Sequence, residues 1–262
     1  MQIIIPMTGH GSRFIAQGYK RLKPFIKIHQ MPMIELVIKM FPGDHDKITF
    51  ICRAQHLKDK RYISKELNRI APKANIFKIK DWKKQGPVSD VLRASEAIQD
   101  DQPVLVSYCD FFADWNYHKF LNFLKAHDPD GVIPCYSGFH PHLMHQENVY
   151  ATCEVDSGFQ LKKIREKFQL NQDKLMDLQS PGLYYFKSGA LLKKYCKKLI
   201  ESKNSINGEY YMSLPFNNMV ADNHKVLCPP IVKHFCQWGT PKDLEEYKYW
   251  MGCILQFNSQ KS

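Results

Sequence analysis

The sequence predicts an α/β fold, a Rossmann-like three-layer domain built on a mixed, mainly parallel sheet. Two observations predict it. Short apolar runs alternate with helical stretches through the first half of the chain, the pattern of strands joined by right-handed crossovers. The runs Ile3-Ile4-Ile5 and Val104-Leu105-Val106 are continuously apolar, as strands covered on both faces are.

In order, Gln2 to Met7 reads as a strand, Met33 to Met40 as a helix and Lys47 to Cys52 as a second strand. Leu57 to Ile70 is amphipathic and helical, and Asn75 to Ile79 is a third strand. Val88 to Ile98 is a helix, Val104 to Tyr108 a buried strand and Tyr117 to Ala126 a helix. After Pro129 the texture changes. Gly131 to Tyr136, Asn148 to Asp156, Leu161 to Lys167 and Leu183 to Lys187 read as strands without long helices between them. Asp156-Ser157-Gly158 signals a hairpin turn. Ser188 to Ser202 is an amphipathic, lysine-rich helix, followed by short strands at Lys225 to Pro229 and Ile231 to Cys236. Pro241 opens a terminal helix, with Thr240 as N-cap and Asp243 in the first turn.

At 262 residues, 44% of them hydrophobic, the chain can bury the core of one α/β domain, and a single domain over 1–262 is expected. No apolar run approaches the ~20 residues needed to span a bilayer, so no membrane insertion is expected. The N-terminus lacks a leader pattern. Eight cysteines lie singly without a C-x-x-C pair, which reads as buried free thiols in a cytoplasmic protein. The net charge of +11 suits polyanionic substrates or a lysine-rich surface. Aromatics fall inside strand-like runs rather than interleaving a basic patch, so nucleic acid is not the expected partner. An assembly of identical copies stays open.

The first strand empties into Thr8-Gly9-His10-Gly11-Ser12-Arg13-Phe14, and Lys23-Pro24-Phe25 follows. Two glycines let backbone N–H groups turn toward a polyphosphate, and Arg13 and Lys23 supply charge. A bare G-x-G serves as a steric turn equally well: the third glycine of a dinucleotide fingerprint is Phe14 here, and Gly-Lys-Ser/Thr is absent. Gln85-Gly86-Pro87-Val88-Ser89 stands after a strand and before a helix, where a glutamine amide can read a base edge or a loop can simply face solvent. Asp110 ends a buried strand, where a carboxylate is costly unless paired or metal-bound. Asp114, nearby, is expected to cap the next helix. His140, His142 and His145 invite a zinc reading, but no cysteine or carboxylate stands beside them at a familiar spacing. Arg165-Glu166-Lys167 alone is an ordinary charged strand end.

Gly9-His10-Gly11-Ser12-Arg13-Phe14, Lys23-Pro24 and Met31-Pro32-Met33-Ile34-Glu35 together resemble the opening of the sugar-phosphate nucleotidyltransferases. Further segments carry the likeness to about Tyr247: Gln85-Gly86, Asp110, Phe139-His140-Pro141-His142 before Asn148-Val149-Tyr150-Ala151, Glu166-Lys167, Ser180-Pro181-Gly182-Leu183-Tyr184-Tyr185-Phe186, Gly208-Glu209-Tyr210-Tyr211 and Gln237-Trp238-Gly239-Thr240-Pro241. The bacterial capsule-associated branch is most similar, including cytidylyltransferases for unusual phosphorylated acceptors such as phosphoglutamine. Two departures stand out. Leu22 replaces the first proline of P-K-P, and Gln237 stands where many members carry a second metal-binding aspartate.

The resemblance implies a glycosyltransferase-A-like nucleotidyltransferase domain, with a nucleotide-binding half over 1–128 and an acceptor half over 129–262. It implies transfer of a nucleotidyl group from a triphosphate, CTP favoured, to a phosphorylated acceptor, with pyrophosphate leaving. Such an acceptor is already anionic, so alignment and charge neutralisation suffice. Capsule or surface polysaccharide precursors are the implied use. The implied catalytic residues are Arg13, Lys23, Asp110 and Lys167, with Asp110 holding Mg²⁺. Gly9, Gly11, Ser12, Gln85, Gly86 and Ser89 are implied to hold the nucleotide. His140, His142, Glu166, Gly182, Glu209 and Gln237 are implied to face the acceptor, a sugar phosphate or a non-sugar such as an amino-acid or polyol phosphate. A catalytically silent nucleotide-binding regulator is the alternative of another class. A glycosyltransferase is disfavoured because Asp110 and Asp114 do not form a D-x-D pair.

Overall fold

A central seven-stranded sheet carries the molecule in the computed structural model, which describes residues 1–144 and 150–259. Its strands lie in the order Val226–Leu227, Gly131–Val132, Leu183–Phe186, Val104–Ser107, Gln2–Pro6, Ile48–Arg53 and Asn75–Ile79. All run parallel except Leu183–Phe186, which is antiparallel to both neighbours. The predicted mixed, mainly parallel sheet is therefore present.

Successive side chains of a strand point to opposite faces, and the two faces here meet different helices. Ile3, Ile5, Phe50, Leu105 and Leu183 pack with Ile34, Val37 and Phe120 on one side. Ile4, Ile51, Val104 and Val106 pack with Val88, Val91, Leu192, Tyr195 and Phe216 on the other. That double cover is why these strands have no polar alternation in sequence. A separate three-stranded antiparallel sheet places Ala151–Val155 between Leu161–Glu166 and Leu178–Gln179. The hairpin turn forms as expected, with Asp156 Oδ1 accepting the N–H groups of Gly158 and Gln160 at 2.8 and 2.9 Å.

Several elements differ from the sequence reading. The helix expected over Leu57 to Ile70 is two helices, Ala54–Asp59 and Tyr62–Ile70, because Lys60 leaves helical geometry (φ −127°, ψ 75°). Tyr62 is then free to pack on Phe25, and its hydroxyl accepts the Leu22 N–H at 3.0 Å. Within Gly131 to Tyr136 only Gly131–Val132 enters the named ladder, though the N–H groups of Ile133 and Cys135 continue onto Leu227 and Pro229 carbonyls. Phe111–Trp115 is an unanticipated strand, paired with Val232–Gln237, and Pro215–Ala221 is an unanticipated helix. Asp114 does not cap the following helix. It sits in that strand, and Asn116 caps instead, its side chain accepting the Lys119 N–H at 2.8 Å. The Thr240 cap is reciprocal: Thr240 Oγ1 accepts the Asp243 N–H at 3.2 Å, and Asp243 Oδ2 accepts the Thr240 N–H at 2.8 Å.

All eight cysteines are free, and only Cys253 is exposed. Cys135, Cys153 and Cys228, distant in sequence, converge with their sulfurs within 4.8 Å of one another. No fourth histidine, cysteine or carboxylate joins them among the described residues, so the trio falls short of a zinc tetrad and packs as small apolar groups. Among the described residues no helix is long and apolar enough to cross a membrane.

Candidate active site

The chain leaving the first strand stays on the sheet for one more residue, the Met7 N–H bonding the Ile51 carbonyl at 2.8 Å. It then turns through Gly11 (φ 65°) into the short helix Ser12–Ala16, which Phe14 anchors in a cluster with Trp238 and Leu244. A side-chain carbon placed on Gly9 would meet nothing within 4 Å. Packing does not require that glycine, and the free space belongs to a cavity of about 630 Å³. Gly9, Gly11, Ser12 and Arg13 line it, and Arg13 makes no side-chain hydrogen bond or ion pair among the described residues.

The same cavity receives the end of the neighbouring parallel strand. Val104–Ser107 runs beside Gln2–Pro6 with Ile4 opposite Val106, so the loops following both strands emerge on one edge. Asp110 thereby meets Lys23: Nζ lies 2.5 Å from Asp110 Oδ2 and donates to the Gly239 carbonyl at 2.8 Å. The Trp238 N–H bonds the Asp110 carbonyl at 3.0 Å, tying the Gln237-Trp238-Gly239 segment to this carboxylate. The donor set fits a hard divalent cation modestly. One partly exposed carboxylate faces a cavity already holding a compensating cation, and phosphate oxygens and water would complete the shell. Gln237 pairs with Phe111 on the adjoining strand and does not line the cavity.

A different wall is formed by Trp82, Gly86, Pro87, Asp90, Tyr108, Glu209 and Tyr211. Gly86 (φ 88°) is held by backbone bonds from Tyr210 N–H to the Gln85 carbonyl at 2.8 Å and from Val88 N–H to the Tyr210 carbonyl at 3.1 Å. A side-chain carbon there would come within 2.6 Å of the Tyr210 nitrogen. Gly86→Ala is accordingly expected to destabilise the protein by roughly 1–3 kcal/mol and to open this wall. Urea denaturation checks it, and an unchanged midpoint would contradict the contact. Gln85 is exposed and turned aside, its Oε1 accepting from Arg93 at 2.7 Å, while buried Ser89 lies under the loop. Glu209 lines the cavity and pairs with Lys84 at 2.9 Å.

Asp90 was invisible in the sequence as a site residue, because an acid in the first turn of a helix is ordinary there. In the structure it is buried beneath Thr8, whose hydroxyl donates to Oδ2. Burial pushes its carboxyl up to about 6, against the opposing pull of the Thr8 hydrogen bond and Arg93. Beside it the Arg53 guanidinium stacks over Trp82 at 4.2 Å and bonds the His10 ring. Burial, then Arg53, lowers the His10 pKa.

The remaining residues expected on the acceptor side lie outside the cavity lining. His140 and His142 are buried in an aromatic nest, with Tyr136 stacked on Phe235 and its hydroxyl 2.9 Å from His142 Nε2. Burial lowers the His140 pKa, which favours the neutral ring. His145, Asn148 and Val149 lie outside the described residues. Glu166 accepts from the Ser213 hydroxyl, and burial raises its carboxyl. Lys167 is exposed, in left-handed conformation (φ 53°), with its N–H on the Tyr150 carbonyl. Gly182 (φ 102°) clears room for protein: a side-chain carbon would lie 2.8 Å from the Tyr108 ring.

A family model described as nucleotidyl transferase matches residues 2–244. Among solved structures, a nucleoside-diphosphate-sugar pyrophosphorylase from Vibrio cholerae RC9 superposes with a TM-score of 0.77 at 17% identity, covering 95% of this chain and 100% of that one. A candidate glucose-1-phosphate thymidylyltransferase from Bacillus anthracis gives 0.73 at 16%, covering 95% and 94%. A UDP-glucose pyrophosphorylase complexed with UDP-glucose gives 0.71 at 14%, covering 97% and 98%. At these identities the superpositions speak for the fold. No curated protein sequence matches the chain.

Proposed function

The chain belongs to the nucleotidyl transferase family, and on that premise we propose that it transfers a nucleoside monophosphate from a triphosphate, CTP favoured, to a phosphorylated acceptor, releasing pyrophosphate. The observation that carries this reading is the shared cavity edge. A glycine loop leading into Arg13, which is unpaired among the described residues, and a carboxylate held by Lys23 face one space of about 630 Å³. One side suits anionic oxygens and the other a cation, the two needs of a triphosphate.

An anionic acceptor needs no general base, so the residues act by position and charge. Arg13 and the N–H groups of the glycine loop neutralise the departing pyrophosphate. Lys23, held between Asp110 and the Gly239 carbonyl, stands where its ammonium can turn to a phosphate oxygen when the triphosphate enters. Asp110 would hold Mg²⁺, which when bound polarises the α-phosphate. With Gln237 off the cavity wall, Asp110 would be the protein's carboxylate for the metal, with phosphate oxygens and water completing the shell. Glu166, Lys167 and the His140/His142 nest are assigned to the acceptor half, whose surface precursor class is a capsule or polysaccharide building block. The nucleotide is assigned to the half over 1–128.

The test is a pyrophosphate-release screen of four triphosphates against sugar, polyol and amino-acid phosphates. Release with CTP and one acceptor class supports the reading and names the acceptor. Nucleotide binding with no release from any pair would favour the silent regulator and overturn it.

A further inference from the structure

The terminal helix Pro241–Ser259 changes character along its length. Its first two turns dock on the domain. Leu244 is buried with Phe14 and Trp238, Tyr247 packs against the same cluster, and Glu245 accepts the Tyr19 hydroxyl at 2.6 Å. From Tyr249 onward its large side chains are open: Tyr249, Trp250, Ile254, Leu255 and Phe257 are each 51–65% exposed. Trp250, Cys253, Ile254 and Phe257 fall at i, i+3, i+4 and i+7, so they share one face over about two turns. An exposed helix face normally carries charge. Residues 249–259 contain no Asp, Glu, Lys or Arg, in a chain whose net charge is +11.

We infer that this helix end is the surface through which two copies of the chain pair about a two-fold axis, their helices antiparallel across it. Area favours a second copy. Aromatic side chains bury about 150–250 Å² when covered, so these side chains leave on the order of 500 Å² open, the larger part of the roughly 800 Å² per partner that a stable pair needs. Charge favours it too. Two copies at +11 repel each other, and this stretch lets them touch without opposing like charges. The face is also its own complement, as a two-fold contact requires. In the antiparallel arrangement Trp250 of one copy meets Phe257 of the other, and the smaller Cys253 meets Ile254 beside the axis. A lipid surface fits less well. Helices that lie on membranes carry a polar face rich in Lys and Arg. Here Lys242 and Lys248 are outnumbered by Asp243, Glu245 and Glu246.

Analytical ultracentrifugation of the full chain is the direct measurement, and Cys253, the one exposed cysteine, is a built-in reporter. The unaltered protein is expected to sediment as a pair at micromolar concentration. Because the axis brings the two Cys253 thiols close, a short bismaleimide is expected to link two chains, and Cys253→Ser to abolish the link. The double variant Trp250→Glu with Ile254→Glu is expected to sediment as a single chain, its pairing weakened about 100-fold or more, because each carboxylate would be buried without a partner. Circular dichroism confirms that it folds, as substitution at two exposed positions should allow. A single-chain mass for the unaltered protein at every concentration overturns the proposal, and so does a double variant that still pairs. Pairing without the Cys253 link puts the contact elsewhere and overturns it too. Pelleting with lipid vesicles that depends on Trp250 and Ile254, from a protein that sediments as one chain, would assign the face to a membrane surface instead.

Discussion

Asp110→Asn is expected to lower pyrophosphate release by about 10³-fold or more while the protein remains folded. A metal's stabilisation of the transferring phosphoryl group is worth several kcal/mol, and each 1.36 kcal/mol is about tenfold in rate. A neutral amide cannot anchor a divalent cation comparably. Folding should survive because the Lys23–Asp110 pair is only partly buried, at 13% and 30% exposure. Solvent screens such a pair, and its loss costs about 1 kcal/mol. Lys23 also keeps its bond to the Gly239 carbonyl. Single-turnover rates across a Mg²⁺ titration, with a thermal melt alongside, make the check. Near-native turnover at low Mg²⁺ would remove Asp110 from the proposed metal site.

Arg13→Ala is expected to cost about 10²-fold in rate with little change in stability. Removing a preorganised donor to a developing anion typically has this effect. The side chain is exposed and unpaired among the described residues, so its loss should stay within about 0.5 kcal/mol of the parent. Arg13→Lys should recover part of the rate, because it restores charge without the guanidinium fork. A defect confined to the KM of the acceptor would move Arg13 to the acceptor side.

These two residues show how unevenly the site was legible. Arg13 stands in the first turn of the helix that the two glycines lead into, all local features, so its place after that turn is expected from the sequence. Asp110 was also legible, as a carboxylate closing a buried strand. Its partner was not, because Lys23 lies 87 residues away. The misread helix over Leu57 to Ile70 has a related cause. Its periodicity continues through Lys60, but the backbone there breaks and Tyr62 turns to meet Phe25. The strand Phe111–Trp115 is not expected from the sequence, because its pairing partner, Val232–Gln237, arrives from far along the chain.

What the sequence determined by itself was the local structure: the doubly covered strands, the glycine loop, the hairpin at Asp156 and the reciprocal cap at Thr240. Each depends on residues a few positions apart, whose sterics and hydrogen bonds act before any fold exists. Tertiary structure decided which side chains share the cavity. Placing Val104–Ser107 beside Gln2–Pro6 in parallel brought Asp110 to Lys23. Packing the Pro87–Arg93 helix behind the first strand buried Asp90 under Thr8. The same packing set Gly182 against Tyr108 and left Lys167 at the surface. Such contacts depend on strand order, which is set by burial of the whole core and not by any neighbourhood of the sequence.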